Sequence, residues 1–361
     1  MIDIREAVAR ARASRFDRPL VIYGAGNTGK AVAKHLESRG RKIVAFVDQQ
    51  ADSRQSCLGK PLFSLRECVR TVQVADMDLL VAIHNRDVEM PSLIRDLSAC
   101  GFSDVLTVID YVNAFPDDGA RRFWLSPRST YLDHEAEIVE FFELLEDDES
   151  KHWADRIVRF RITGDYSCLP SPDGENQYVP LGLSRWANPL RFIDCGAFTG
   201  DTIELLLARG YAVEKLLAFE PDSENFEQLA KKFTDRDRIF IPCGVSSSNR
   251  PVQFATGAGE GSHQVEAGGV SVQMVRIDDV APGFEPNLIK MDVEGGELDA
   301  LEGARSTISR FTPGLALSLY HRPEDLWRIP LRIHGWNLGY KFYVRGHGNS
   351  SFESVLYARV L

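Results

Sequence analysis

Residues 190–226 read LRFIDCGAFTGDTIELLLARGYAVEKLLAFEPDSENF. Apolar Leu190, Phe192 and Ile193 predict a short buried strand over 190–195, with the carboxylate of Asp194 near its end. Gly196 and Gly200, four apart, predict a tight turn, and an apolar helical period follows over 201–209. A second strand, 216–219, ends in Glu220 and Pro221. The unit is therefore strand, glycine turn, helix, strand, with an acid at the tip of each strand. Glycines let backbone approach a ligand with no Cβ in the way, and a helix N-terminus offers free N–H donors. An acid on the second strand can accept from both ribose hydroxyls. These are the requirements of a nucleoside site.

The spacing is D-x-G-x-x-x-G, not the dinucleotide G-x-G-x-x-G, and it resembles the first motif of class I methyltransferases. Their cofactor, S-adenosylmethionine, is a nucleoside with a sulfonium tail and no phosphate to cradle. Two later segments resemble the FkbM family of methyltransferases. One is Ile289-Lys290-Met291-Asp292-Val293-Glu294-Gly295-Gly296-Glu297; the other is Ser318-Leu319-Tyr320-His321, followed by Pro323, Asp325 and Leu326. Asp165, Tyr166 and Gln177-Tyr178-Val179-Pro180 also fit that family's pattern ahead of the cofactor strand. Gly296 departs from it, since the family often has Ala there. The resemblance covers 130–361, with its three motifs in the family's order. It implies a cofactor site at Asp194, Gly196, Ala197, Gly200, Thr202, Glu220, Pro221 and Asp292, and catalytic roles for His321 and Asp292. The implied activity is O-methylation of a sugar or nucleotide-linked sugar in polysaccharide or natural-product biosynthesis. The implied fold is an α/β doubly wound, mainly parallel sheet closed by a terminal antiparallel hairpin. Residues 340–345 and 354–360 read as that hairpin's two strands.

A chain of 361 residues suggests two domains, and 44% hydrophobic with 26% charged residues suits globular cores. The net charge of −10 argues against nucleic acid as a partner, which calls for a basic face. Six scattered cysteines with no C-x-x-C pair fit neither a zinc site nor a secreted disulfide framework, so the expected compartment is a reducing cytoplasm. No run approaches a membrane span or a secretory signal. The expected partner is a small-molecule or glycan acceptor, with a homo-oligomer left open.

Residues 20–50 carry a second nucleotide-type unit. A helix over 3–14, stopped by Pro19, precedes a strand at 20–23, and Gly24, Gly26 and Gly29 complete a true G-x-G-x-x-G. A helix from Asn27 to about Ser38 and a strand over 43–47 ending in Asp48 complete the dinucleotide fingerprint. Strands at 79–83 and 105–109 flank a helix at 91–99. This domain resembles the nucleotide-sugar-binding N-terminal domains of PglD-type acyltransferases. Two readings stay open: a nucleotide or nucleotide-sugar site at Gly24, Gly26, Asn27, Gly29 and Asp48, or glycines that merely shape a turn in a packing domain. A nicotinamide-dependent oxidoreductase using this domain is the alternative activity, against which stands the lack of a hydride-transfer domain. A non-catalytic assembly module is the other.

The expected domains are 1–115, a bridge at 116–189 and 190–361. Pro116, Asp117, Asp118 and Gly119 read as a linker. One acidic helix is expected over 131–153, with Ile138, Phe141, Phe142 and Leu145 on its docking face. That face should lie across the second domain's sheet or on a partner subunit. The glycine-rich run 257–269, GAGEGSHQVEAGG, reads as a cofactor or substrate lid. No tight ligand spacing marks a metal, so no metal residue is assigned. The alternative pairs Asp292 with Glu294 or Asp278 around a divalent cation, as hard oxygen ligands suited to magnesium. Lys290 and Glu297 read as pairing and packing residues, and Tyr178 as a buried aromatic, with a place lining the cofactor or substrate cleft as its alternative.

Overall fold

The structure, a computed structural model, describes residues 2–51, 56–117, 123–234, 237–255, 263–265 and 270–360. The chain divides into two compact units. The first is Met1–Glu135, Trp153–Pro172 and Gly348–Phe352; the second is Ala136–His152, Asp173–His347 and Glu353–Leu361. The stretch expected as a bridge is thus shared between them.

In the first unit, apolar runs covered on both faces form a parallel sheet. Leu20–Tyr23 lies between Ile43–Val47 and Asp78–Val81, with Asp104–Thr107 beyond the latter and Lys60–Phe63 beyond the former. A short antiparallel strand, Ser56–Cys57, and the helix Leu65–Thr71 were not expected. The first helix is only Ile4–Arg10, because the backbone turns extended at Ala11, well before Pro19. Val108 and Ile109 belong to the helix Val108–Ala114 rather than to a strand. Thr107 N–H and Oγ1–H both donate to Asp110 Oδ2, at 2.8 and 3.0 Å, and so start that helix.

The second unit is built on a seven-stranded sheet. Its order is Lys341–Gly346, Ser354–Arg359, Gly314–Ser318, Leu288–Met291, Leu190–Cys195, Val213–Phe219 and Arg238–Ile241. Ser354–Arg359 runs antiparallel to both its neighbours, and the other pairs are parallel. Phe192, Leu216, Leu288, Ala316 and Tyr357 from these strands share one core with Tyr178 and Trp186. A smaller four-stranded sheet joins Gly244–Val245, Val270–Val275, Arg250–Ala255 and His263–Val265. The lid glycines Gly257, Gly259, Gly261, Gly268 and Gly269, like the linker residues Asp118 and Gly119, lie outside the described residues.

The single acidic helix is instead three: Ser129–Asp133, Glu135–Leu144 and Asp148–Thr163. Ile138, Phe141, Phe142 and Leu145 are all buried. They dock at the edge of the sheet, not across its face: Leu145 bridges to Phe342, whose carbonyl accepts Glu146 N–H at 3.1 Å. Residues 298–310 also split, into Glu297–Gly303 and Arg305–Phe311. The second piece gains its own cap, because Asp278 accepts Ser306 N–H at 3.0 Å and Thr307 N–H at 2.9 Å.

Candidate active site

The strand order puts the ends of Val213–Phe219, Leu190–Cys195, Leu288–Met291 and Gly314–Ser318 side by side. Glu220, Gly196, Asp292 and His321 therefore follow one another along the carboxyl edge, where open parallel sheets hold their ligands. Gly196 has φ +75°, and a Cβ there would lie 1.9 Å from the carbonyl oxygen of Asp292. Only glycine lets the turn pass the neighbouring strand at this distance. Gly196 and Ala197 N–H both donate to Phe219 O at 3.0 Å, which ties the turn to the second strand.

Glu220 is nearly buried, and its two oxygens accept Phe198 N–H and Asp222 N–H, each at 2.8 Å. Each oxygen keeps a second lone pair. Burial pushes this carboxyl up, and the two backbone amides oppose the shift. Pro221 follows directly, and Asp222 caps the helix Ser223–Lys232. Thr202, in the helix that opens after Gly200, is buried, and its Oγ1 has no hydrogen-bond partner among the described residues. Hydroxyl acceptors on Glu220 and an orphaned Thr202 hydroxyl beside the glycine turn are a donor and acceptor set that suits a nucleoside with a polar tail.

Asp194 sits inside the sheet, fully buried, with Lys290 Nζ 3.2 Å from Oδ1. Burial pushes its carboxyl up, to about 7, while Lys290 pulls it down. Burial works to neutralise Lys290 as well, but Asp194 and then Asp292 hold its ammonium charged. Nζ also donates to Gly196 O at 2.6 Å and lies 5.4 Å from the centre of the Tyr178 ring. Lys290 thus clamps the glycine turn to its strand.

Asp292 opens the second half of the site. Its oxygens accept Tyr178 Oη–H at 3.0 Å and Tyr320 Oη–H at 3.3 Å, with His321 Nε2 3.4 Å from Oδ1. Burial raises this carboxyl, but the charges of Lys290 and His321 hold it below its ordinary range. His321 is buried, with Nδ1 2.7 Å from Glu297 Oε1 and Nε2 3.7 Å from Glu294 Oε2. Burial pulls the imidazole down, yet Glu297, then Asp292 and Glu294, push it up to about 10. Glu294 is driven up to about 8 by burial. Glu297 pairs with His321 rather than with Lys290.

The expected cation partner Asp278 is not here. Its oxygens are spent on Ser306, Thr307 and Arg276, so that pairing with Asp292 is withdrawn. One residue, Glu353, escapes a sequence reading, and Tyr178 meets its cleft-lining alternative. Glu353 accepts from Tyr320 Oη at 3.2 Å and from Gln177, and Tyr178 contributes a hydroxyl as well as a buried ring. Tyr178 lay in the Gln177–Pro180 match, but nothing local marked its hydroxyl, and Glu353 carried no signal at all.

In the first unit, the fingerprint residues also come together. Gly24 has φ +104°, and a Cβ on Gly29 would lie 1.9 Å from Gly24 O. Asp48 accepts Ala25 N–H at 2.8 Å and Gln50 N–H at 2.9 Å. Gly26 starts the helix Asn27–Ser38 with no side-chain cap. The turn lies where the strand order reverses, between strands on either side of Leu20–Tyr23.

A parallel sheet that ends in one antiparallel hairpin, with an acid-flanked glycine turn at its centre, is a Rossmann-like methyltransferase fold. Residues 194–343 match the family model described as Methyltransferase FkbM domain. The chain is similar to Hexuronic acid methyltransferase AglP of Haloferax volcanii, at 31% identity over 101 residues. That alignment covers 26% of this chain and 42% of AglP, so the chain spans less than half of that relative. The crystal structure of Methyltransferase FkbM from Methylobacillus flagellatus KT has the same fold. Its TM-score is 0.77 at 24% identity, covering 99% of this chain and 93% of that one. No helix among the described residues is long and apolar enough to cross a membrane.

Proposed function

We propose that this chain is an S-adenosylmethionine-dependent O-methyltransferase acting on a hydroxyl of a sugar or nucleotide-linked sugar. The observation that carries this reading is the edge-to-edge placement of two half-sites. The glycine turn with Glu220 stands on one side, and the Asp292–His321 pair on the other. The named activity of AglP supports a sugar-type acceptor. When bound, the cofactor supplies a methyl group on a sulfonium that leaves as a neutral thioether. Glu220 would accept the ribose hydroxyls through its spare lone pairs, beside the turn at Gly196. Thr202 Oγ1 would be available to the cofactor's polar tail. Asp292, with His321 Nε2 3.4 Å from its Oδ1, would take the acceptor's proton, and the imidazolium would steady the oxygen that loses it. Orientation and water exclusion do the rest.

Calorimetry with S-adenosylmethionine tests the cofactor half. Binding at one site per chain is expected, and Glu220→Ala should weaken it by about 1–3 kcal/mol through loss of charge-assisted bonds. Undiminished affinity in a folded Glu220→Ala protein would remove the assignment.

A second reading concerns the first unit, as a site for a nucleotide or nucleotide sugar at Gly24, Gly26, Asn27, Gly29 and Asp48. It is favoured by a likeness between the two units. Asp48, like Glu220, accepts one amide from its glycine turn and one from two residues downstream. Titration with NAD and with a nucleotide sugar separates this from a packing role and from the oxidoreductase alternative.

A further inference from the structure

Behind the exposed edge of Asp292 the side chains close into a ring. Tyr178 Oη–H donates to Asp292 Oδ2 at 3.0 Å, and Tyr320 Oη lies 3.3 Å from Asp292 Oδ1. The same Tyr320 oxygen lies 3.2 Å from Glu353 Oε1, and Gln177 Nε2–H donates to Glu353 Oε2. Gln177 and Tyr178 are consecutive, so the peptide bond between them closes the circuit. The backbone of the ring is pinned. Tyr178 N–H donates to Tyr357 Oη at 3.0 Å, and Trp186 Nε1–H donates to Tyr178 O at 2.6 Å. Leu319 N–H, beside Tyr320, donates to Ser354 O, beside Glu353, at 2.8 Å. Tyr178 and Glu353 hold φ of +66° and +52°, conformations that persist where such contacts over-determine them. Tyr178, Tyr320 and Glu353 are each 5% exposed, whereas the Asp292 side chain is 24% exposed. The ring presents one carboxylate to the cleft and keeps the rest inside.

A phenol carries one hydrogen, and Tyr320 holds it between two carboxylates. Asp292 and Glu353 therefore compete for it. The more Glu353 draws, the less Asp292 receives, and an ionised carboxylate that loses a donor takes a proton more readily. Working the other way on Asp292 are the charges of Lys290 and His321 and the hydroxyl of Tyr178. Asp194 on the neighbouring strand and Glu294 on the same loop also face Asp292, and Glu297 stands behind His321.

We propose that Glu353, acting through the Tyr320 hydroxyl, is a positioning residue for Asp292, fixing where that carboxylate points and how strongly it takes a proton. Gln177 holds Glu353 in place from the other side. The proposal rests on the methyltransferase reading for its use, in which Asp292 receives the acceptor's proton. A carboxylate gripped by donors alone is a weak base, and Glu353 restores part of its strength.

The test uses the full chain, isotope-labelled at tyrosine Cζ or at aspartate Cγ and read by carbon magnetic resonance, and needs no acceptor. The Tyr320 signal is assigned by its loss in Tyr320→Phe, and the Asp292 signal by its loss in Asp292→Asn. At neutral pH the Tyr320 signal should move in Glu353→Gln and also in Asp292→Asn, because both carboxylates hold the one hydroxyl. Titrated toward acid, Asp292 should take its proton at a pH higher by about half a unit or more in Tyr320→Phe, which strips a donor from the ionised form. In Glu353→Gln the amide N–H turns to Tyr320 Oη and sends the hydroxyl hydrogen onto Asp292, so the titration should move the opposite way. Most of that effect should vanish when Glu353→Gln is made together with Tyr320→Phe. Gln177→Ala, at a half-buried position, keeps the test open if Glu353→Gln does not fold. Glu353, short of one donor, then draws harder on Tyr320, and the Tyr320 signal should again move at neutral pH. The proposal is overturned if the Tyr320 signal ignores the changes at both Glu353 and Gln177, or if Glu353→Gln acts on Asp292 equally with and without the Tyr320 hydroxyl. Calorimetry with S-adenosylmethionine on the same wild-type chain separates the two readings. No binding there would overturn the methyltransferase reading and leave these signal shifts standing.

Discussion

At the scale of single residues, four side chains at the site hold backbone that non-glycine residues seldom adopt. Tyr178, Phe198, Glu294 and Glu353 have φ of +66°, +48°, +54° and +52°. Such conformations cost of order 1–3 kcal/mol each and persist where surrounding contacts over-determine them. Here they aim a hydroxyl, an amide and two carboxylates at one region. His321 is the residue whose removal reports most directly on chemistry. His321→Ala should leave S-adenosylmethionine affinity within a few-fold while turnover falls roughly 10²–10⁴. Glu297→Gln keeps an acceptor for Nδ1–H and should lose only about tenfold. Turnover and cofactor affinity measured on both variants check this. Near-normal turnover in His321→Ala would remove the residue from the mechanism.

Among the elements, the helix Arg305–Phe311 depends on a residue far from it in sequence. Asp278 accepts Ser306 N–H, Thr307 N–H and Thr307 Oγ1–H, the last two at 2.9 Å. Asp278→Ala should cost about 1–2 kcal/mol, the scale of a lost cap. The effect carries a pH signature. Burial works to raise the Asp278 carboxyl, but the amides of Thr307 and Ser306 hold it below the ordinary 3.8. A depressed carboxylate stabilises the fold above its unfolded value, and that contribution disappears as pH falls through the folded one. The melting temperatures of wild type and Asp278→Ala should therefore differ at pH 6 and converge in acid below about pH 3. A constant gap across that range would mean the side chain acts by packing. The same logic explains the docked helix Glu135–Leu144, whose end is anchored where Arg345 meets Asp147 Oδ2 at 2.7 Å and Ser150 Oγ at 2.8 Å.

For the whole molecule, two units with separate sheets and separate glycine turns should answer to separate ligands. Calorimetric unfolding should show S-adenosylmethionine raising the transition of the second unit, by about 2.7 kcal/mol at a hundred times its dissociation constant. The first unit's transition should stay in place with that ligand. It should move with a nucleotide or nucleotide sugar if Asp48 and the Gly24–Gly29 turn bind one. Movement of the first transition by S-adenosylmethionine alone would assign the cofactor to the wrong turn.

Much of this protein was legible without coordinates. The strands Leu190–Cys195 and Leu288–Met291 and the two glycine turns follow from local apolar period and turn chemistry, which act over a few residues. Glu220 and Asp292 directly follow their strands for the same reason, whereas Asp194 lies within its strand, facing Lys290. The single helix expected over 131–153 failed because apolar period does not mark where a chain breaks to meet a sheet edge. The helix over 298–310 failed because its interruption is set by Asp278, twenty-odd residues upstream. The partners within the site were equally invisible. Lys290 with Asp194, Glu297 with His321, and Glu353 with Tyr320 and Gln177 meet only once the strands are ordered. Which charges become neighbours is decided by strand order and burial, and neither leaves a local trace along the chain.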